Sequence, residues 1–136
     1  VKARAPATDP QVLLLDEPFG SLDERTRHRL GEELLNIWEK TKKTVIFVTN
    51  NIDEAIYLGE RVVVMTDQPG RVVATVAVDL GRPRDRLSGD FSNLLLDVRN
   101  LLERAMKEKV GEVRENPKGG KSEKVRSNII GGCCAG

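Results

Sequence analysis

Histidine occurs once and cysteine twice in the 136 residues. The two cysteines, Cys133 and Cys134, are neighbours in a glycine-rich stretch. Adjacent cysteines rarely form a structural staple, so they point to a reducing compartment or carry no information, and no cluster of further ligands accompanies them as a zinc site requires. No apolar run approaches the ~20 residues that span a bilayer, and no signal peptide is visible. Charge of one sign is also missing. A formal net charge of +1 gives no bulk electrostatic reason to bind nucleic acid or a membrane surface. The glycine-rich phosphate loop G-x-x-x-x-G-K-[ST], whose backbone amides and lysine cradle nucleotide phosphates, occurs nowhere.

What is present fits one modest α/β domain. The length allows a single small core, and 39% hydrophobic with 32% charged residues describes an ordinary soluble protein. The informative stretch is Val12-Leu13-Leu14-Leu15-Asp16-Glu17-Pro18. Four apolar residues, the pattern of a fully buried parallel strand, lead into two carboxylates, and the proline then stops the ladder. Open α/β sheets place their chemistry at the carboxyl ends of such strands. Two acids there can divide the work: one holds Mg²⁺ in its water shell, the other orients or deprotonates an attacking water.

The pattern then alternates. A helix is predicted over about 24–41, with Leu30, Leu34, Ile37 and Trp38 on one face, followed by a strand at Thr44–Thr49. Asp53 is placed to cap a short helix that runs to about Leu58 and is closed by Gly59. Arg61–Thr66 and Arg71–Val78 read as a hairpin turning at Asp67-Gln68-Pro69-Gly70. Phe91, Leu94, Leu95, Val98, Leu101, Leu102 and Met106 keep a helical period over about 90–108. Residues 107–136 hold seven Lys/Arg, four Glu and six Gly, too little apolar surface to offset ordering entropy, so a disordered tail is expected there.

The ordered motifs resemble the ATP-binding-cassette (ABC) ATPases. Val12–Glu17 is similar to that family's Walker B strand and catalytic glutamate, Pro18-Phe19-Gly20-Ser21-Leu22-Asp23 to its D-loop, and Val48-Thr49-Asn50-Asn51 stands where the family carries its switch-histidine loop. The later stretches Ile52–Ile56, Arg61–Met65 and Leu80-Gly81-Arg82-Pro83-Arg84-Asp85-Arg86 resemble the ATPase subunits of nitrate, sulfonate and taurine importers. The family's Leu-Ser-Gly-Gly-Gln signature is absent. The resemblance therefore implies the C-terminal half of an ABC ATPase domain over 1–106. Its fold would be a partial P-loop NTPase (RecA-like) core of parallel strands flanked by helices. The phosphate-loop strand, which would lie between the second strand and the strand at 61–66, is missing, leaving a gap or an unsatisfied edge.

Roles follow from the resemblance residue by residue. Asp16 corresponds to the Walker B aspartate, which holds Mg²⁺ through water, and Glu17 to the acid that polarises the lytic water. Ser21, Leu22 and Asp23 correspond to the D-loop, which reaches toward the nucleotide of a partner subunit; Ser and Asp also cap helices. Asn50 occupies the switch position in place of histidine. Its amide still donates a hydrogen bond, but it is shorter, neutral and carries no proton. Pro6 departs from a helix the family continues. His28, flanked by Arg27 and Arg29, reads as a surface residue.

The implied cofactors are ATP and Mg²⁺. The implied partners are a second ATPase subunit, transmembrane permease subunits and, indirectly, a solute-binding protein, with no nucleic acid; the implied location is the cytoplasmic face of the inner membrane. Two function classes stand against each other: an ATP-hydrolysing importer subunit for small anions such as nitrate, sulfonate or taurine, and a degenerate, non-hydrolysing binding or regulatory module. An ABC-type ATPase acting on DNA or the ribosome fits the near-neutral charge and the importer-like stretch at 80–86 less well.

Overall fold

The structure is a computed structural model, and it describes residues 10–66, 70–114 and 128–133. Its elements are β1 (Val12–Asp16), α1 (Glu24–Thr41), β2 (Thr44–Thr49), α2 (Ile52–Leu58), β3 (Arg61–Met65), β4 (Val72–Ala77), α3 (Gly89–Arg114) and β5 (Asn128–Cys133). One five-stranded sheet runs in the order β1-β2-β5-β3-β4. β1 and β2 are parallel direct neighbours, in register from Val12 opposite Thr44 to Asp16 opposite Val48. The 18 residues of α1 supply the crossover that a parallel pair needs.

The slot beside β2 is filled, which corrects the expected gap. β5 lies there, antiparallel to β2 from Val45–Cys133 to Thr49–Ile129 and antiparallel to β3 from Arg61–Gly132 to Met65–Asn128. Two antiparallel steps set β3 in the same direction as β2, so β1, β2 and β3 end at one edge of the sheet. The tail expectation is corrected with it. α3 continues through Arg114, and β5 falls within the stretch read as disordered. Composition missed β5 because its pairing is non-local: two open strand edges offer it a backbone partner on either side, and only Ile129-Ile130 announces strand preference. The expectations placed on Pro6, on the turn residues 67–69 and on Cys134 lie outside the described residues.

Burial follows strand periodicity. Val45, Phe47 and Thr49 of β2 and Val62 and Val64 of β3 are buried, and their alternates are half-buried or exposed. β1 follows the same rule, which corrects the reading of a strand buried on both faces: Leu13 and Leu15 pack on the core, whereas Val12 and Leu14 are 53% and 65% exposed. On α1, Leu30, Leu34, Leu35 and Trp38 face the core while Ile37 turns outward, so Leu35 takes the place expected for Ile37. Gly31 is buried on the face of α1 that meets α2, where a β-carbon would stand in ordinary contact with the Leu58 side chain at 3.6 Å. On α3, Phe91, Val98, Leu102 and Ala105 form the buried stripe.

Both ends of α1 are built from local signals. Asp23 caps its start, accepting the Thr26 N–H at 3.0 Å, and Lys42 closes it in a left-handed conformation, φ 50°, donating its N–H to the Trp38 carbonyl. Hydrogen bonding from the Thr26 backbone holds the Asp23 carboxyl below its ordinary value of 3.8. A folded-state value below the unfolded one means that the cap stabilises above the unfolded carboxylate value and is lost as pH falls through the lowered one. Asp23→Asn caps without titrating. Its melting temperature is therefore expected to fall less than that of the parent chain as pH drops below about 4, a difference that paired thermal melts across pH 2.5–6 would read.

α2 starts differently from the sequence expectation. Asn51 rather than Asp53 is its N-cap, with Oδ1 accepting the N–H of Asp53 at 2.9 Å and of Glu54 at 3.4 Å. Asp53 sits inside the first turn, where its charge suits the positive pole of the helix.

Candidate functional site

Asp16 closes β1 and stands exposed at the sheet edge where β1 to β3 end. Glu17 leaves the strand with φ 42°, a conformation uncommon for a residue with a side chain. Its N–H reaches the Val48 carbonyl of β2 at 2.8 Å, and its own carbonyl accepts the Gly20 N–H at 3.1 Å. A tight turn results. Phe19 is driven inward and packs against Phe47 of β2, ring centroids 5.4 Å apart, which leaves both carboxylates facing out. Gly20 sits against the Glu17 backbone in this turn, where a β-carbon would make ordinary contact with the Glu17 carbonyl oxygen at 3.4 Å.

The chain then returns to α1. Ser21 is exposed, Leu22 packs on the core, and the Asp23 side chain is engaged in capping. Asn50 is exposed just past the end of β2, next to the carboxylate turn because Asp16 pairs with Val48. The structure therefore brings Asp16, Glu17 and Asn50 to neighbouring strand ends, with Ser21 and Leu22 in the turn beside them. A groove of about 330 Å³ opens on the far side of Asn50, lined by Asn50, Asn51, Ile52, Asp53, Leu95 and Arg99. His28 is half-buried, 4.0 Å from Asp53, whose carboxylate also accepts Arg86 Nε at 2.9 Å.

Sequence reasoning missed the residues that hold these loops. Thr49 and Glu54 are only 3% and 6% exposed. The Thr49 hydroxyl donates to Glu54 Oε2 at 2.6 Å and accepts the Asn51 N–H at 3.0 Å. Arg27 Nε lies 3.0 Å from Glu54 Oε1 without the alignment of a hydrogen bond, so their tie is an ion pair. The importer-like stretch at 80–86 is a clamp on α2. Buried Arg84 donates to the carbonyls of Ile56, Tyr57 and Gly59 at 2.7–2.9 Å, Arg82 donates to Leu58 at 2.7 Å, and Arg86 stacks over Tyr57 at 3.4 Å. The segment bends at Arg82-Pro83 and turns at Arg86, so the three arginines were visible in the sequence but their common target was not.

Among the described residues, no three His, Cys, Asp or Glu side chains converge as a metal cage. Mg²⁺ at a nucleotide site takes one or two carboxylates, with phosphate and water completing the shell. An exposed acid at a strand end, beside a second acid on a tight turn, fits that arrangement. No helix among the described residues is long and apolar enough to cross a membrane.

No family model matches the chain. Curated relatives do. An uncharacterized ABC transporter ATP-binding protein of Methanocaldococcus jannaschii is 53% identical over 100 residues, 74% of this chain and 38% of that protein. The aliphatic sulfonates import ATP-binding protein SsuB of Bacillus cereus is 51% identical over 102 residues, 75% of this chain and 41% of its own. A putative ATP-binding protein of Brucella melitensis is 47% identical over 93 residues, 66% of this chain and 39% of its own. The chain thus spans about two fifths of the length of the relatives it matches.

Proposed function

We propose, because the chain belongs over its matched stretch to the family of ABC transporter ATP-binding proteins, that it supplies the hydrolytic part of an importer ATPase site. The observation that carries the reading is the pair of neighbouring strand ends, with Asp16 and Glu17 on one and Asn50 on the next. Asp16 is assigned to hold Mg²⁺ through water and Glu17 to orient and deprotonate the attacking water. Asn50 donates its amide N–H toward the terminal phosphate. Ser21, Leu22 and Asp23 form the turn that faces a second ATPase subunit. Bound ATP supplies the scissile phosphoryl group, and Mg²⁺ neutralises the charge that develops on it. The amides and lysine that grip the phosphates come from a phosphate loop outside these 136 residues.

The transported solute would be a small anion of the sulfonate, nitrate or taurine kind, in line with the aliphatic sulfonates import named for the Bacillus cereus relative. Permease subunits would receive the motion of the ATPase dimer at the cytoplasmic face of the membrane, and a solute-binding protein would feed the permease.

Asn50 favours a second reading, a cassette that binds nucleotide and dimerises but turns over slowly, because its neutral amide withholds charge from a reaction run on positioning and electrostatics. A hybrid tests both readings: residues 10–106 replace the matching stretch of a full-length homologous ATP-binding protein, and steady-state phosphate release is followed at saturating Mg-ATP. Asn50→His is expected to raise turnover by about 10–100-fold, since one positioned transition-state donor is typically worth about 10²–10³. An unchanged rate beside a fully active hybrid would place the switch role elsewhere.

A further inference from the structure

We propose that the buried carboxylate of Glu54 is a positioning residue that couples the loop after β1 to the loop after β2, so that the two loops shift together. Its meaning for turnover rests on the function proposed above; the coupling itself rests on geometry.

Four contacts form a continuous relay. The Leu22 carbonyl, in the turn after the two acids, accepts Arg27 Nη2 at 3.1 Å. Arg27 Nε stands 3.0 Å from Glu54 Oε1. Glu54 Oε2 accepts the Thr49 hydroxyl at 2.6 Å, and that hydroxyl oxygen accepts the Asn51 N–H at 3.0 Å. Asn50 lies between the last two residues, so both of its neighbours are fixed by one carboxylate. The Glu54 backbone also donates to the Asn51 side chain at 3.4 Å, which places the same residue on both ends of the loop's anchorage.

The chemistry requires an acid. A hydroxyl has one proton, and an ionised carboxylate is acceptor-only, so Thr49 must donate to Glu54 and present its lone pairs to the Asn51 amide. A glutamine has one carbonyl oxygen in place of two carboxylate oxygens, so in either rotamer it presents an NH₂ to Thr49 or to Arg27 and weakens the relay at that joint. Stability alone gives little reason for the arrangement, since a buried ion pair is often no better than apolar packing of the same volume. Each contact, by contrast, joins a different element, and the two ends of the relay are the two loops of the candidate site.

The test is native-state amide exchange of the 136-residue chain followed by NMR, without nucleotide, so its outcome is independent of whether the site hydrolyses ATP. Glu54→Gln is expected to speed exchange at Asn51, and with it at Gly20 and Leu22, by about tenfold relative to the β1–β2 ladder amides, which report the rest of the fold. Arg27→Met approaches the relay from its partly exposed end and keeps the test decisive if Glu54→Gln does not fold. It is expected to speed Asn51 exchange although, among the described residues, no hydrogen bond or ion pair of Arg27 reaches that loop except through Glu54. Asn51 unchanged in Arg27→Met, Gly20 and Leu22 unchanged in Glu54→Gln, or all amides accelerated by one common factor would each overturn the coupling.

Discussion

Glu17→Gln in the hybrid ATPase is expected to cut steady-state phosphate release by at least about 100-fold while leaving Mg-ATP affinity within a few-fold of the parent hybrid. General-base catalysis by a positioned side chain contributes typically 10²–10⁴ in rate, and the amide keeps the size of the acid while losing its basicity. The turn around Glu17 explains why the substitution should be conformationally silent. The fold engages the backbone of Glu17, through its N–H to Val48 and its carbonyl to Gly20, and leaves the side chain exposed. Phosphate release within tenfold of the parent would remove Glu17 from the chemistry.

Arg84→Met is expected to destabilise the chain by about 3 kcal/mol or more, because a charged donor is worth about 1.5–3 kcal/mol per hydrogen bond and buried acceptors left unpaired cost about 1–3 kcal/mol each. Arg84 Nη1 alone serves Ile56, Tyr57 and Gly59, the carbonyls at the C-terminal end of α2. Nε and Nη2 add the Leu80 and Val78 carbonyls at 3.3 and 3.4 Å. Methionine fills similar volume and supplies none of these donors. Arg84→Lys should recover only part of the loss, because one ammonium lacks the planar fork that reaches several acceptors at once. Urea unfolding would show a lowered midpoint with an unchanged slope. A loss below about 1 kcal/mol would mean that water or a shifted neighbour serves the carbonyls in place of Arg84.

Signals local in sequence were legible before the structure. The apolar run into Asp16-Glu17, the end of that strand at Pro18, the period of α1 and the parallel pairing across a helical crossover all follow from neighbours within a few turns of chain. The positions of Asp16, Glu17 and Asn50 at the ends of β1 and β2 were legible this way, because motif spacing fixes which strand ends carry them. Contacts between distant segments were not legible. Glu54 looks like an ordinary first-turn acid until Thr49 and Arg27 are seen to close over it, and Arg84 meets α2 from 25–28 residues away. β5 is the extreme case: nothing in Asn128–Cys133 says which strands it joins, because that choice belongs to the open edges of β2 and β3. The α2 cap was misplaced by two residues for a simpler reason. Asn51 and Asp53 both suit a cap, and only the fixed end of β2 decides between them.

On the proposed function these residues form the hydrolytic part of an ATP site whose phosphate-gripping part lies elsewhere, and calorimetric titration of Mg-ATP tests that division. The 136-residue chain alone should give a Kd no tighter than about 100 μM, because it lacks the loop amides and lysine that bind the phosphates, while the hybrid that regains them should bind at least tenfold more tightly. Submicromolar binding by the chain alone, or a folded hybrid that gains no affinity, would rule that division out.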